Sequence, residues 1–289
     1  MAEVKPGSQT GGPTPVGGGP ILLISELALA YGDLTVLGGF DLSVNEGEFV
    51  CLLGPSGCGK TSVLRLVAGL IEPGGGKIHA AGRLVTGPGT DRAMVFQNYG
   101  LLPWRTVLGN VEFGLEIQGE SRDERRQKSV QQIQRLGLAG FERHYPSELS
   151  GGMQQRVGLA RAFTKNPKIL LMDEPFAAVD MQTREYLQDE LLKVWEQVRT
   201  TVIFVTHSID EALYLGDRVL VMGARGGETQ ADVTVDLPRP RYATDVKASA
   251  RFGELRGQLR EALHSGEGHA RASHRRESAG GTDDDGSAK

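Results

Sequence analysis

The sequence predicts an α/β fold in which a parallel-sheet core is preceded by a strand-rich segment and interrupted by a helical insert. Three observations lead there. The apolar runs FVCLL (49–53), ILLM (169–172) and VIFV (202–205) are short, end at turn or polar residues and each lead into a helical pattern, as buried strands of a parallel sheet do. The stretch from about residue 21 to 89 consists of β-like runs separated by Gly and Asn-Glu-Gly turns. Residues 98–164 change character, becoming polar, charged and helical in period.

Taken in order, residues 1–20 are Gly- and Pro-rich without apolar periodicity, and a disordered leader is expected there. ILLISELALAY, LTVLGGFDLSV and GEFVCLLG then read as strands, the last ending at a Gly-rich loop. Within 98–164, the segment SRDERRQKSVQQIQRLGL places Val130, Ile133, Leu136 and Leu138 near helical spacing. KILLMDEP and TTVIFVTHS return to the sheet, and the main domain is expected to span 21–240. A helical extension is expected over 241–264, with Phe252, Leu255, Leu259 and Leu263 on the face that packs back on the core. Residues 265–289, ending GGTDDDGSAK, are expected to form a disordered tail.

Composition excludes several classes. The 289 residues are 39% apolar, enough for a substantial core, and 32 basic against 36 acidic residues leave a net charge of −4, without the basic excess of a nucleic-acid binder. Nucleic acid is therefore not expected as a partner. Cys51 and Cys58 are too few for a disulfide framework and match no zinc or redox spacing. The first residues lack the cationic start and apolar run of a signal peptide, and no segment approaches the roughly 20 apolar residues that cross a bilayer.

The first chemical motif is Gly54-Pro55-Ser56-Gly57-Cys58-Gly59-Lys60-Thr61, which fits the phosphate-binding P-loop pattern GxxxxGK[ST] directly after an apolar strand and before a helix. Glycines let the backbone fold into a nest of N–H donors, the helix adds its positive end, Lys60 reaches phosphate oxygens and Thr61 can ligate Mg²⁺. A thiol at Cys58 in such a loop is expected to react with alkylating reagents, with protection by nucleotide, whereas Cys51 should react slowly. The loop alone leaves kinases, GTPases and many ATPases open. Asp173 and Glu174 follow the apolar run 169–172, at the strand end where ligands bind in open α/β sheets. Asp173 can hold the Mg²⁺ shell, and Glu174 is placed to orient or deprotonate an attacking water.

Leu149-Ser150-Gly151-Gly152-Met153-Gln154-Gln155-Arg156 narrows the choice. Ser150 and two glycines before the helical MQQRVGLARAF form a second anion-binding helix start. LSGG about 20 residues before the Asp-Glu strand resembles the signature motif of ATP-binding-cassette (ABC) ATPases. The resemblance covers about 21–240 and implies a P-loop ATPase with a RecA-like parallel-sheet core, an antiparallel β subdomain and a helical signature subdomain over about 98–164. It further implies a homodimer clamping two ATP molecules, in which Leu149 to Met153 act on the nucleotide of the other subunit. By the same resemblance Gln97 is the Q-loop residue that touches Mg²⁺, and Asp180 in FAAVD is the D-loop residue. His207 is the switch histidine and Tyr31 the aromatic that stacks on adenine.

Two positions depart from the family pattern. Met153 stands where Gln is common and cannot donate a hydrogen bond, although Gln154 follows, and the D-loop reads Ala-Ala-Val-Asp where Ser-Ala-Leu-Asp is common. Leu101-Leu102-Pro103-Trp104-Arg105-Thr106-Val107, LSGGMQQR and Asp236-Leu237-Pro238-Arg239-Pro240-Arg241 resemble the nitrate, sulfonate and taurine class of importers. That likeness implies transmembrane permease subunits, with Trp104 beside the contact, and indirectly a solute-binding protein. It places the chain peripherally on the cytoplasmic face of the membrane. The alternative is a soluble ABC ATPase of DNA repair or translation; such proteins carry paired cassettes or long coiled-coil insertions, which this chain lacks.

Overall fold

The computed structural model describes residues 19–177, 179–224 and 226–279, with side chains described as far as residue 265. β1 (Leu22–Tyr31) and β2 (Leu34–Val44) pair as an antiparallel hairpin, and β3 (Phe49–Leu53) leads into α1 (Lys60–Ala68). β4 (Gly75–Ala80) and β5 (Arg83–Leu84) join the hairpin in an antiparallel sheet of order β2-β1-β4-β5. After β6 (Arg92–Val95) come the helices of the insert, α2 (Val107–Ile117), α3 (Arg122–Arg135) and α4 (Gly151–Thr164). The chain then alternates through β7 (Ile169–Asp173), α5 (Met181–Val198), β8 (Thr201–Thr206), α6 (Ile209–Leu215) and β9 (Arg218–Met222). β10 (Thr229–Thr234) and α7 (Ala250–Ala279) complete it.

The second sheet has the order β10-β9-β3-β8-β7-β6, parallel throughout except for β10. Every residue of β3, β7 and β8 is buried, which explains why these segments read as unbroken apolar runs rather than alternating ones. Alternate residues still serve different layers. Cys51 and Leu53 face the core beneath α4 to α7, whereas Val50 and Leu52 face the one shared with α1 and the antiparallel sheet. Phe49 meets Trp195 edge-on at 5.5 Å, and Phe204 packs on both Phe49 and Phe176, pinning the chain just beyond Glu174 to the sheet.

The C-terminal segment returns to this core. Phe252, Leu255 and Leu259 are buried, with Leu263 packed partly beside them. The helix runs on to Ala279, beyond the end expected near residue 264, so the first part of the expected tail is helical; residues 280–289, like residues 1–18 of the expected leader over 1–20, lie outside the described residues. Arg241 anchors the approach to it. Fully buried, its guanidinium donates to the carbonyls of Leu213, Tyr214, Gly216 and Val235, satisfying acceptors at the end of α6 that helix geometry leaves open. Burial lowers its pKa to about 10. Arg239 stacks on Trp195 at 4.4 Å and pairs with Asp217.

Candidate active site

Strands β3, β8, β7 and β6 are parallel neighbours, so their carboxyl ends open on one edge of the sheet. Gly54 leaves β3 where a Cβ would stand 2.6 Å from the Met222 carbonyl oxygen, so no larger residue fits. Gly57 and Gly59 take φ of +83° and +103°, and α1 begins without a side-chain cap, which leaves its first amides to other acceptors. Lys60 is buried, and its ammonium lies across the loop, donating to the carbonyls of Gly54 and Pro55 at 2.8 Å. Cys58 corrects the sequence expectation. Its side chain turns inward, 1% exposed, with Sγ 3.7 Å from Lys60 Nζ, so both cysteines are free thiols held away from solvent.

Thr61 Oγ1 donates to Asp173 Oδ1 at 2.9 Å. Burial pushes the Asp173 carboxyl up, and this hydrogen bond offsets only part of that rise. The hydroxyl and carboxylate are hard oxygen donors of the kind that hold Mg²⁺ when phosphates and water supply the remaining ligands. Glu174, the next residue, has φ +44°, a left-handed conformation rare for a side chain of its size, and its N–H donates to the Val205 carbonyl on β8. That bend sends the side chain toward β8's end, where Glu174 Oε2 lies 3.1 Å from His207 Nδ1. The P-loop, Asp173, Glu174 and His207 are thus brought together.

The remaining predicted residues stand apart from these pairs. Ser150 is exposed and N-caps α4, accepting from the Met153 N–H, while Asp180 does the same for α5 with the Thr183 N–H. Gly151 and Leu149 flank Ser150, and a Cβ at Gly152 would come 2.8 Å from Thr183 Cγ2, so the start of α4 rests on the start of α5. Met153 is half-buried, and the Gln154 amide donates to the Pro146 and Leu149 carbonyls; it therefore does not stand in for the missing Gln. Gln97 is exposed beyond β6, and Tyr31 is 57% exposed at the end of β1.

Residues 37–177 match the family model described as ABC transporter. An uncharacterized ABC transporter ATP-binding protein of Methanocaldococcus jannaschii is 54% identical over 211 residues, 73% of this chain and 79% of that one. The chain belongs to the ABC transporter ATP-binding family. It is an ATP hydrolase of that family. A nitrate import ATP-binding protein of Synechocystis is 46% identical (72% and 78% covered), and a taurine import ATP-binding protein of Rhizobium johnstonii is 47% identical (78% and 87% covered). Among solved structures, an ATP-binding cassette in a dimeric post-hydrolysis state with ADP and Pi superposes with a TM-score of 0.65 at 32% identity, covering 74% of this chain and 98% of that one.

Other residues of this ABC ATPase shape the site without any sequence signal of their own. Arg161 on α4 donates to the carbonyls of Gly100 and Tyr99, and Asn110 on α2 ties Leu102, Arg105 and Thr106 together, fixing the loop beyond Gln97. Arg161 reads in sequence as part of a solvated helix face because its acceptors lie 61 and 62 residues away, whereas Asn110 bonds carbonyls of the segment leading into its own helix.

Proposed function

We propose that this chain energises import of a small anionic solute of the nitrate, sulfonate or taurine type through a partner permease. The observation that carries the hydrolytic part is the paired geometry at one sheet edge, Thr61 on Asp173 at 2.9 Å and Glu174 on His207 at 3.1 Å, beside the P-loop. The triphosphate lies along Gly54 to Thr61, with Lys60 turning from the loop carbonyls to the phosphate oxygens and Tyr31 stacking on adenine. Thr61, Gln97 and Asp173 would hold Mg²⁺, which neutralises charge on the phosphates. Glu174 orients and deprotonates water for in-line attack on the γ-phosphate. With Nδ1 engaged by Glu174, His207 has Nε2 left to meet the γ-phosphate oxygens.

Ser150 to Gly152 and Asp180 act on the nucleotide of a second copy, so closure of the homodimer depends on ATP bridging both subunits. The exposed positions of Ser150, Gly151 and Asp180 at helix starts support this, as does the dimeric state of the similar cassette. The permease docks beside the Q-loop. Trp104 and Ile117 are 72% and 70% exposed there, near a groove of about 350 Å³ lined by Phe96, Leu102, Phe113 and Lys165. No described helix is long and apolar enough to cross a membrane, in keeping with peripheral attachment through the permease on its cytoplasmic face. A solute-binding protein would meet the permease alone.

Replacing Glu174 with Gln tests the reading. The variant should bind ATP as the parent does, abolish turnover and accumulate as an ATP-bound dimer in size-exclusion chromatography; sustained turnover by E174Q would overturn it. Transport of taurine, an alkanesulfonate or nitrate by vesicles carrying the permease and this chain tests the solute class.

A further inference from the structure

Behind His207 lies a buried polar cluster that the motifs leave unexplained. Glu211, on the first turn of α6, accepts hydrogen bonds from the Gln188 amide of α5 at 2.9 Å and from the Thr206 hydroxyl. The Thr206 hydroxyl oxygen in turn accepts the Ser208 N–H at 3.0 Å, and Ser208 Oγ accepts the Glu211 N–H at 3.3 Å. His207, itself exposed, therefore sits between Thr206, whose hydroxyl donates to the Glu211 carboxylate, and Ser208, which is tied to that hydroxyl and to the Glu211 N–H. Capping α6 requires only Ser208, and burying a carboxylate costs free energy that a helix cap does not demand. Both carboxylate oxygens are engaged, and the elements they join are informative. Gln188 belongs to the helix that Asp180 starts, whereas Thr206 ends the strand that delivers His207.

We propose that Glu211 is a positioning residue for hydrolysis: it fixes the backbone at 206–208 so that His207 stays on Glu174, and through Gln188 it makes that placement follow the position of α5. The inference rests on the reading of His207 given above. Asp180 at the exposed head of α5 then has a mechanical route to the histidine of its own chain, running through Gln188, Glu211 and Thr206. Burial raises the Glu211 carboxyl overall, and its hydrogen bonds from Thr206 and Gln188 and the Arg184 guanidinium of α5 offset part of that rise.

Thr206→Val removes the hydroxyl and keeps the shape. It should lower kcat about tenfold or more while KM for ATP stays within about twofold, because a displaced catalytic group costs turnover and not ground-state binding. Glu211→Ala should do the same, and Glu211→Gln should retain most activity, since a turned Gln188 amide can satisfy it. In imidazole NMR spectra, the His207 signal, assigned with His207→Ala, should move in T206V and E211A while those of the other five histidines stay in place. In the His207→Ala background, T206V should add no further loss. An unchanged kcat in T206V, the same fold-loss on top of H207A, or an unmoved His207 signal would overturn the proposal. Wild-type turnover by H207A would instead overturn the assignment of the histidine itself.

Discussion

Two glycine-rich helix starts, α1 and α4, are built in opposite ways. The start of α1 grows out of a fully buried strand, carries a buried lysine and has no side-chain cap. The start of α4 follows a single helical turn at 146–148, is exposed, and is already capped by its own serine. Their neighbours also differ: α1 has Asp173 hydrogen-bonded to its second residue, while α4 rests on the first turn of α5 through Gly152 and Thr183. The difference teaches that one half of the proposed site is buried and hydrogen-bonded within the chain, and the other is presented outward.

The largest test of that contrast mixes two inactive variants. Lys60→Ala removes a preorganised cation from the phosphates and should lower kcat about 10²–10³-fold; Ser150→Arg should block the receiving start of α4 to a similar degree. In a mixed dimer of the proposed kind, one site would combine the intact P-loop of one chain with the intact α4 start of the other. Activity should therefore return on mixing, and an inactive mixture of dimers shown to have exchanged subunits would break the comparison.

A middle-sized effect comes from adding one methyl group at each start. Gly54→Ala drives Cβ against the Met222 carbonyl, which belongs to the sheet, and should cost about 1–3 kcal/mol in chemical denaturation. Gly152→Ala meets only the Thr183 methyl, the end of a side chain that can rotate, and should cost about 1 kcal/mol or less. Equal losses would mean that both starts are equally rigid.

The smallest effect is electrostatic. Burial raises the carboxyl of Glu211 above the ordinary value of 4.5, so the stability it allows is fully present below that value and is lost as pH rises through the raised one. Glu211→Gln should therefore melt a few degrees higher at neutral pH, with the gap closing in acid. Asp180 behaves in reverse. Its hydrogen bonds to Thr183 hold the carboxyl below 3.8, so its contribution is present at neutral pH and is lost as pH falls through the lowered value. Asp180→Ala should melt slightly lower at neutral pH, with the difference shrinking below the ordinary aspartate range; melting curves across pH 3 to 8 check both signs.

What could be read from the sequence divides along a physical line. The buried strands, the P-loop and the Asp-Glu pair were legible because each is a local pattern whose chemistry depends on its immediate neighbours. The insert was legible through the spacing of Val130, Ile133 and Leu136, although α3 ends at Arg135 and the buried Leu138 lies beyond it. The inward turn of the Cys58 thiol was not, since it depends on Gly54 and Lys60 crossing the same loop. Nor was the engagement of Gln154 with backbone carbonyls, the burial of Arg241 under four of them, or the link from Gln188 to Glu211. These are long-range choices made by polar side chains, and periodicity carries no trace of them. The extension of α7 past residue 264 was hidden for a related reason: its apolar stripe ends at Leu263, and the helix goes on without one.

The left-handed backbone at Glu174 has a consequence for anyone engineering this chain. Such a conformation costs a side chain with a Cβ about 1–2 kcal/mol, and glycine would relieve it. Selection for heat resistance alone would thus favour discarding the carboxylate proposed above to activate water, so tolerance to temperature and catalytic competence should drift apart at this position.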